Sequence, residues 1–183
     1  MAANYFSSFP IIETKRLLLR QMNSNDVQDL FAFRSNEEAM KYISRPIAKT
    51  IDDALGVINL MQELYKNEKA INWGICYKQT NTIIGTIAYM NIDTQNFRAE
   101  IGYMLHPDYH RKGIMQEAIE TLINFGFEEM QLHSIYANIH PNNEASKGLL
   151  LKNSFIQEAH FREHFFYEGK FLDSLVFGLL NNL

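Results

Sequence analysis

The stretch Tyr109-His110-Arg111-Lys112-Gly113-Ile114-Met115-Gln116-Glu117-Ala118 follows an apolar run and opens a helix. Two cations, a glycine and a helix start together offer an anion converging backbone N–H groups, the positive end of a helix dipole and two charged donors. A diphosphate is the ligand such a loop suits. The same pattern also describes an ordinary solvated helix start, so the flanking chain has to choose between the two readings. Met115, Ala118, Ile119, Leu122, Gly126 and Met130 fall on one stripe beyond the glycine. That helix therefore packs on a sheet, with its N-terminus at the end of the strand that feeds the loop.

The feeding strand is residues 99–105. Side chains alternate along it, so Glu100, Gly102 and Met104 share one face while Ile101, Tyr103 and Leu105 share the other. Glu100 is thus an acid on a central strand. Upstream, residues 14–20 read as a short strand, followed by a cap-rich turn in which Ser24 or Asn25 caps a helix burying Val27, Leu30, Phe31 and Phe33. Thr50 starts a second helix with Leu55, Ile58, Met61, Leu64 and Tyr65 at helical spacing. From Ile71 the period becomes two, giving strands over 71–77 and 83–90, the first with one better-buried face. Downstream come a strand over 133–139, a helix capped by Asn143 and running to about Asn153, and two strands within 161–180 joined near Glu168 and Gly169.

The chain has 183 residues, 46% of them hydrophobic, which is enough for a sizeable core. No repeat, low-complexity segment or long linker divides it, so we expect one mixed α/β domain over residues 12–183 with an N-terminal extension, residues 1–11. A net charge of −4 argues against nucleic acid as a partner held over a broad surface. The single cysteine, Cys76, has no internal disulfide partner, and neither a zinc spacing nor a membrane-length apolar run is present. His133, His140 and His160 read as ordinary polar positions rather than metal ligands. A cytoplasmic protein without metal or membrane partner is the expectation.

In order and in kind, these pieces resemble the GNAT acetyltransferases, within them the RimJ/RimL-like branch that acetylates protein N-termini. The resemblance runs from about Ile12 to Leu180. It is carried by Glu13-Thr14-Lys15-Arg16-Leu17-Leu18-Leu19-Arg20, by Glu100-Ile101-Gly102-Tyr103, and by His110 to Ala118 at the family's Gln/Arg-x-x-Gly-x-Gly/Ala loop. Asn143-Glu144-Ala145-Ser146 with Phe155, and Glu168-Gly169-Lys170-Phe171-Leu172-Asp173-Ser174, complete it. His110 stands where the family usually has Gln or Arg, and Met115 where it has Gly or Ala. Leu150 occupies the place of a tyrosine that many relatives use to protonate the departing thiolate. Backbone N–H groups build most of such a pocket, and any residue but proline supplies them.

The resemblance implies an α/β (α+β) fold: a central, mixed, bent β-sheet of six to seven strands with about four helices on its two faces. It implies acetyl-CoA as cosubstrate and direct attack of a primary amine on the thioester. The CoA diphosphate would lie on His110, Arg111, Lys112, Gly113, Ile114 and Met115. The pantetheine would pair with the backbone edge of Tyr103, Met104 and Leu105, where an N–H of Met104 or Leu105 polarises the thioester oxygen. Asn143 would hold the pantetheine, and Ser146 would hydrogen-bond the sulfur. Glu100, through water, would act as base; the alternative is that it only pairs with neighbours. Asn143 has an ordinary capping role as its alternative, and Ser146 a surface one. Residues 162–167 border the acceptor pocket in the family, although an aromatic strand is also ordinary core.

The favoured acceptor is a protein N-terminus, of ribosomal-protein type. An α-amine, with a reference pKa of about 7.7–8.0 against about 10.4 for lysine, is neutral far more often near neutral pH and needs little base catalysis. A small amine such as a polyamine or aminoglycoside, or a non-catalytic acyl-CoA-binding module, are the alternatives. A homodimer is left open.

Overall fold

The period-two segment is a strand, Ile71–Tyr77 (β3), but it is buried on both faces: Trp73 and Ile75 on one, Gly74 and Cys76 on the other. Burial on both sides marks a sheet covered by helices above and below, and this is the architecture of the computed structural model, which describes residues 5–181. One sheet holds Ile12–Glu13 (β1), Leu17–Arg20 (β2), β3, Ile83–Asp93 (β4), Arg98–Leu105 (β5), Ser134–Ile139 (β6), Ile156–Tyr167 (β7) and Lys170–Leu180 (β8). Their order is β1-β2-β3-β4-β5-β6-β8-β7. Neighbours are antiparallel except β5 and β6, which are parallel.

Eight strands, against the six to seven expected, follow in part from an extra one at the start. Thr14 Oγ1 accepts the N–H groups of Arg16 and Leu17 at 3.2 and 2.8 Å, and this turn takes residues 14–16 out of the expected strand, leaving β2, with the two-residue β1 lying before it. The α-helices among the described residues are Val27–Arg34 (α1), Glu37–Met40 (α2), Ile51–Lys66 (α3), Ile114–Asn124 (α4) and Glu144–Lys152 (α5). The one not expected, α2, is a single turn whose Asn36 side chain accepts from Ala39 N–H. Neither Ser24 nor Asn25 caps α1. The helix instead continues from a short 3₁₀ turn that Asn23 caps, whose Asp26 carboxylate returns to the Asn23 N–H, and Asp26 stands at the N-cap of α1 without a side-chain cap. Asp26 is buried because Arg20 from β2 grips both its oxygens, at 2.8 and 2.7 Å, tying the helix start to the sheet. Thr50 and Asp53 form the capping box of α3.

The sheet separates two apolar clusters. Ala99 and Ile101 of β5 meet Ile114, Ala118, Ile119 and Leu122 of α4 and Leu150 of α5 on one face. On the other, Leu30 and Phe33 of α1 and Ala54 and Ile58 of α3 pack with Cys76, Ile83 and Met104. The alternation expected along β5 is therefore kept: Tyr103 looks to the α4–α5 side, Glu100 to the α1–α3 side. Tyr5, Phe6 and Phe9, in the expected extension, pack against the first cluster, and Trp73 Nε1 donates to Pro10 O at 2.7 Å. Among the described residues no helix is long and apolar enough to cross a membrane.

Candidate active site

The parallel pair β5–β6 makes only three pairings, Arg98↔Ser134, Ala99↔Ile135 and Glu100↔Tyr136, and then separates. Both strands continue, β5 to Leu105 and β6 to Ile139, so a wedge opens between them. Backbone groups alternate sides along a strand. Because His106 N–H donates to Ile84 O of the β4 side at 2.8 Å, Met104 and Gly102 also turn their N–H and C=O to β4. Tyr103 and Leu105 turn theirs to the wedge. Of the two N–H groups expected to face a thioester, Leu105's thus opens on the gap. His110 folds back on the same edge, with Nε2 3.1 Å from Leu105 O.

At the end of the wedge lies the loop before α4. Gly113, the N-cap, takes φ +70°, which a side chain would strain, and Arg111 also adopts a left-handed φ of +59°. The loop is oriented from β2's side of the sheet. Arg16 Nη1 donates to Lys112 O at 3.0 Å and Nη2 to Gly113 O at 3.1 Å, while Nε meets Glu117 Oε2 at 2.6 Å. A trans peptide plane points its C=O and N–H in opposite directions. With both carbonyls turned to Arg16, the N–H groups of Gly113 and Ile114 face away from it, beside the first-turn N–H groups that no helix satisfies internally. Met115 does not crowd this surface: its side chain is buried in the core cluster. Lys112 lies over the Tyr109 ring, 5.2 Å from its centroid. The Arg16–Glu117 brace was not foreseen from the sequence. A glutamate in the helix's first turn was the available signal, but nothing local names its partner.

Across the wedge, Asn143 caps α5 by accepting Ser146 N–H on Oδ1 at 3.1 Å, leaving its amide nitrogen for a ligand. Ser146 is not a surface residue; it is 7% exposed, and its Oγ lies 2.7 Å from the Tyr103 hydroxyl. Burial pushes the Tyr103 phenol up to about 12, with the Ser146 hydrogen bond opposing the rise. The phenol therefore stays protonated at any working pH and is a standing donor. Tyr103 was expected to contribute only its backbone, so this hydroxyl is the functional group that sequence reading missed. Leu150 is fully buried in the core and offers no polar group here.

On the opposite face, Glu100 accepts Asn91 Nδ2 at 2.8 Å and Asn138 Nδ2 at 3.0 Å. Among the described residues it forms no salt bridge with a cation; two amides from β4 and β6 fix it, with the Tyr136 side chain from β6 beside them. Asn91 is aimed by a bulge in β4, at φ +48°. The two amides also line an open groove of ≈ 450 Å³ with Asp93, Arg98, Tyr136 and Phe161. The Arg98 guanidinium lies 4.5 Å from the Tyr136 ring centroid. Of the polar-aromatic segment 162–167, His164 meets Ser174 at 2.8 Å, around a bulge in β7; just before that segment, Phe161 lines the groove and His160 meets Asp173 at 2.7 Å. Among the described residues no group of His, Cys, Asp and Glu is placed to hold a metal.

A family model described as "Acetyltransferase (GNAT) domain" matches residues 16–156. A Bacillus subtilis (strain 168) protein named Uncharacterized N-acetyltransferase YoaA is 36% identical over 172 residues, covering 94% of this chain and 97% of that one. The [Ribosomal protein uS5]-alanine N-acetyltransferase of Escherichia coli (strain K12) is 25% identical, covering 96% and 94%. Among solved structures, a GNAT-family acetyltransferase from Bacillus anthracis superposes with a TM-score of 0.83 at 26% identity, over 93% of this chain and 98% of that one.

Proposed function

The chain belongs to the GNAT family of acetyl-CoA-dependent N-acetyltransferases, and we propose that its acceptor is the α-amine of a protein N-terminus, of ribosomal-protein type. Acetyl-CoA supplies the thioester whose carbonyl carbon the amine attacks. The donor set fits it: the Gly113 and Ile114 N–H groups with Arg111 and Lys112 suit a diphosphate, and the Tyr103–Leu105 edge suits an amide-bearing arm. The Leu105 N–H serves as oxyanion donor, and one such donor is worth about 100- to 1000-fold in rate.

Two protons must move. The amine loses one on attack, and Glu100, fixed by Asn91 and Asn138 on the groove face, takes it through water. The departing sulfur gains one from the Tyr103–Ser146 hydroxyl pair on the wedge's other side. The single observation that carries this reading is that pair: a buried tyrosine donor replaces the one that Leu150 cannot supply. Support for a protein acceptor comes from the Escherichia coli relative, which is named for a ribosomal protein and aligned over nearly its whole length. A ribosomal acceptor places the enzyme in the cytoplasm.

Asp93 and Glu100 beside the groove favour a second reading, in which a polyamine is acetylated. A panel of short peptides, spermidine and an aminoglycoside, read by release of free CoA thiol, separates the two. Peptide turnover well above polyamine turnover is expected; turnover of polyamines alone would reverse the order, and binding of acetyl-CoA with no turnover of any amine would leave a binding module.

A further inference from the structure

His140 follows the last residue of β6 and stands between two groups already described, two residues after Asn138, which holds Glu100, and three before Asn143, which caps α5. Ile135, Ala137 and Ile139 belong to the apolar cluster under α4 and α5. Alternation then puts Tyr136, Asn138 and His140 on the other face, with Glu100. An independent contact agrees. The Tyr42 ring, from the segment between α2 and α3, lies 5.4 Å from the His140 ring, tilted by 32°, and Ala39 of α2 packs on the α1–α3 cluster. The level along the wedge follows from register: Glu100 pairs with Tyr136, so counting on along both strands sets Gly102 level with Asn138 and Met104 level with His140. His140 therefore stands on the lip of the wedge opposite Met104 and Leu105, where the thioester would be polarised.

The imidazole is held from two sides. Asn142 N–H donates to Nδ1 at 3.1 Å, and the Tyr42 ring rests against the imidazole. A neutral ring that accepts on Nδ1 carries its proton on Nε2, so it offers an N–H on the side away from the turn that fixes it. Among the described residues nothing hydrogen-bonds Nε2. A donor fixed at the amine's side of the wedge suits an acceptor oxygen, since a bond to the amine's own lone pair would block attack. An α-amine brings such an oxygen on the carbon next to the one that bears it, the carbonyl of its own residue; a lysine side chain or a polyamine has none near its nitrogen. We propose that His140 Nε2–H donates to the first carbonyl oxygen of the acceptor, with Tyr42 holding the ring in place, and that this contact selects peptide α-amines over alkyl amines. The inference rests on the protein-acceptor reading and deepens it by naming the group that recognises the peptide.

The test crosses a change in the protein with a change in the acceptor. One acceptor is a short peptide; the other is the same peptide with its first amide reduced to a methylene amine, which keeps the chain and the α-amine but lacks the carbonyl oxygen. Reduction also alters the basicity of the amine, so each variant is compared with the natural chain on the same acceptor, where that difference cancels. In His140→Ala, kcat/KM for the normal peptide should fall roughly 3- to 10-fold, the worth of one neutral hydrogen bond, and for the reduced peptide by about twofold or less. His140→Gln, which returns an N–H donor, should recover most of the loss, and Tyr42→Ala should reproduce part of it. Acetyl-CoA affinity by isothermal titration should stay unchanged in all three, which a merely structural role would not give. Equal losses on both acceptors, no loss on either, no recovery in His140→Gln, or a parallel loss of acetyl-CoA affinity would overturn the inference while leaving the protein-acceptor reading in place. Turnover of spermidine with none of any peptide would remove both.

Discussion

Replacing Arg16 by Met keeps the length of the side chain and deletes its three contacts with the loop and α4. In the native chain those contacts, at 3.0, 3.1 and 2.6 Å, turn two loop carbonyls away from the diphosphate surface. Hydrogen bonds to charged groups are worth roughly 1.5–3 kcal/mol each when well buried. Arg16 is 41% exposed, so water screens a good part of this, and exposed ion pairs contribute about 0–1 kcal/mol. A total of about 1–2 kcal/mol is reasonable for the brace. If it is spent on holding the loop, it appears as roughly 5- to 30-fold weaker acetyl-CoA binding and a melting point lower by roughly 2–8 °C. Isothermal titration with acetyl-CoA measures the first and a thermal melt the second. Lys15→Met, at an exposed neighbouring position, removes the same charge without touching the loop. Unchanged affinity in Arg16→Met would refute the account of how the loop is oriented, and so would an equal loss in Lys15→Met, which would reduce the effect to net charge.

Tyr103→Phe and Ser146→Ala should each lower kcat, by roughly 10- to 100-fold, with a smaller change in KM for acetyl-CoA, and the double variant should lose little more than either single one, because the hydroxyls act as a unit; multiplicative losses in steady-state kinetics would count against a shared proton path. Burial pushes the Glu117 carboxyl up, but hydrogen bonds from Thr14 and Arg16 outweigh it and hold the group below its ordinary value. Its stabilisation is therefore complete above the unfolded carboxylate pKa and disappears as pH falls through the lower, folded one, so melting curves of Glu117→Gln and the natural chain should converge in acid and separate toward neutrality. Gly113→Ala meets only Arg16 Nη2 at 3.6 Å, an ordinary contact, so its cost is the left-handed backbone alone, about 1–2 kcal/mol by chemical denaturation. Glu100→Gln should lower kcat roughly 10- to 100-fold while sparing acetyl-CoA binding, as measured by steady-state kinetics and titration; unchanged turnover would remove the base assignment.

Much of this molecule could be read before its coordinates because its signals are local. The stripe of Ile119 and Leu122 behind a glycine predicts α4 and the anion loop together, since periodicity and cap chemistry depend only on near neighbours. The strand over residues 71–77 was equally plain, although its second buried face was not: Gly74 and Cys76 look permissive in sequence, and burial is decided by α1 and α3. What escaped was long-range. Arg16 meets Glu117 across about a hundred residues, and the Tyr103–Ser146 contact joins a strand to a helix that only the parting of β5 and β6 brings face to face. Asn91 and Asn138 were invisible for the same reason, as each is an ordinary strand residue until Glu100 stands between them. Ser146 was expected at the sulfur but left open as a surface residue, because its burial depends on the same Tyr103 contact.

The account's central claim is transfer of acetyl to a protein α-amine. The most direct measurement is tandem mass spectrometry of a short peptide that carries both a free N-terminus and an internal lysine, after incubation with the purified protein and acetyl-CoA at neutral pH. The account predicts a single acetyl group on the α-nitrogen, with the lysine unmodified. Acetyl on the lysine alone, or an untouched peptide beside acetylated spermidine in the same tube, would contradict it.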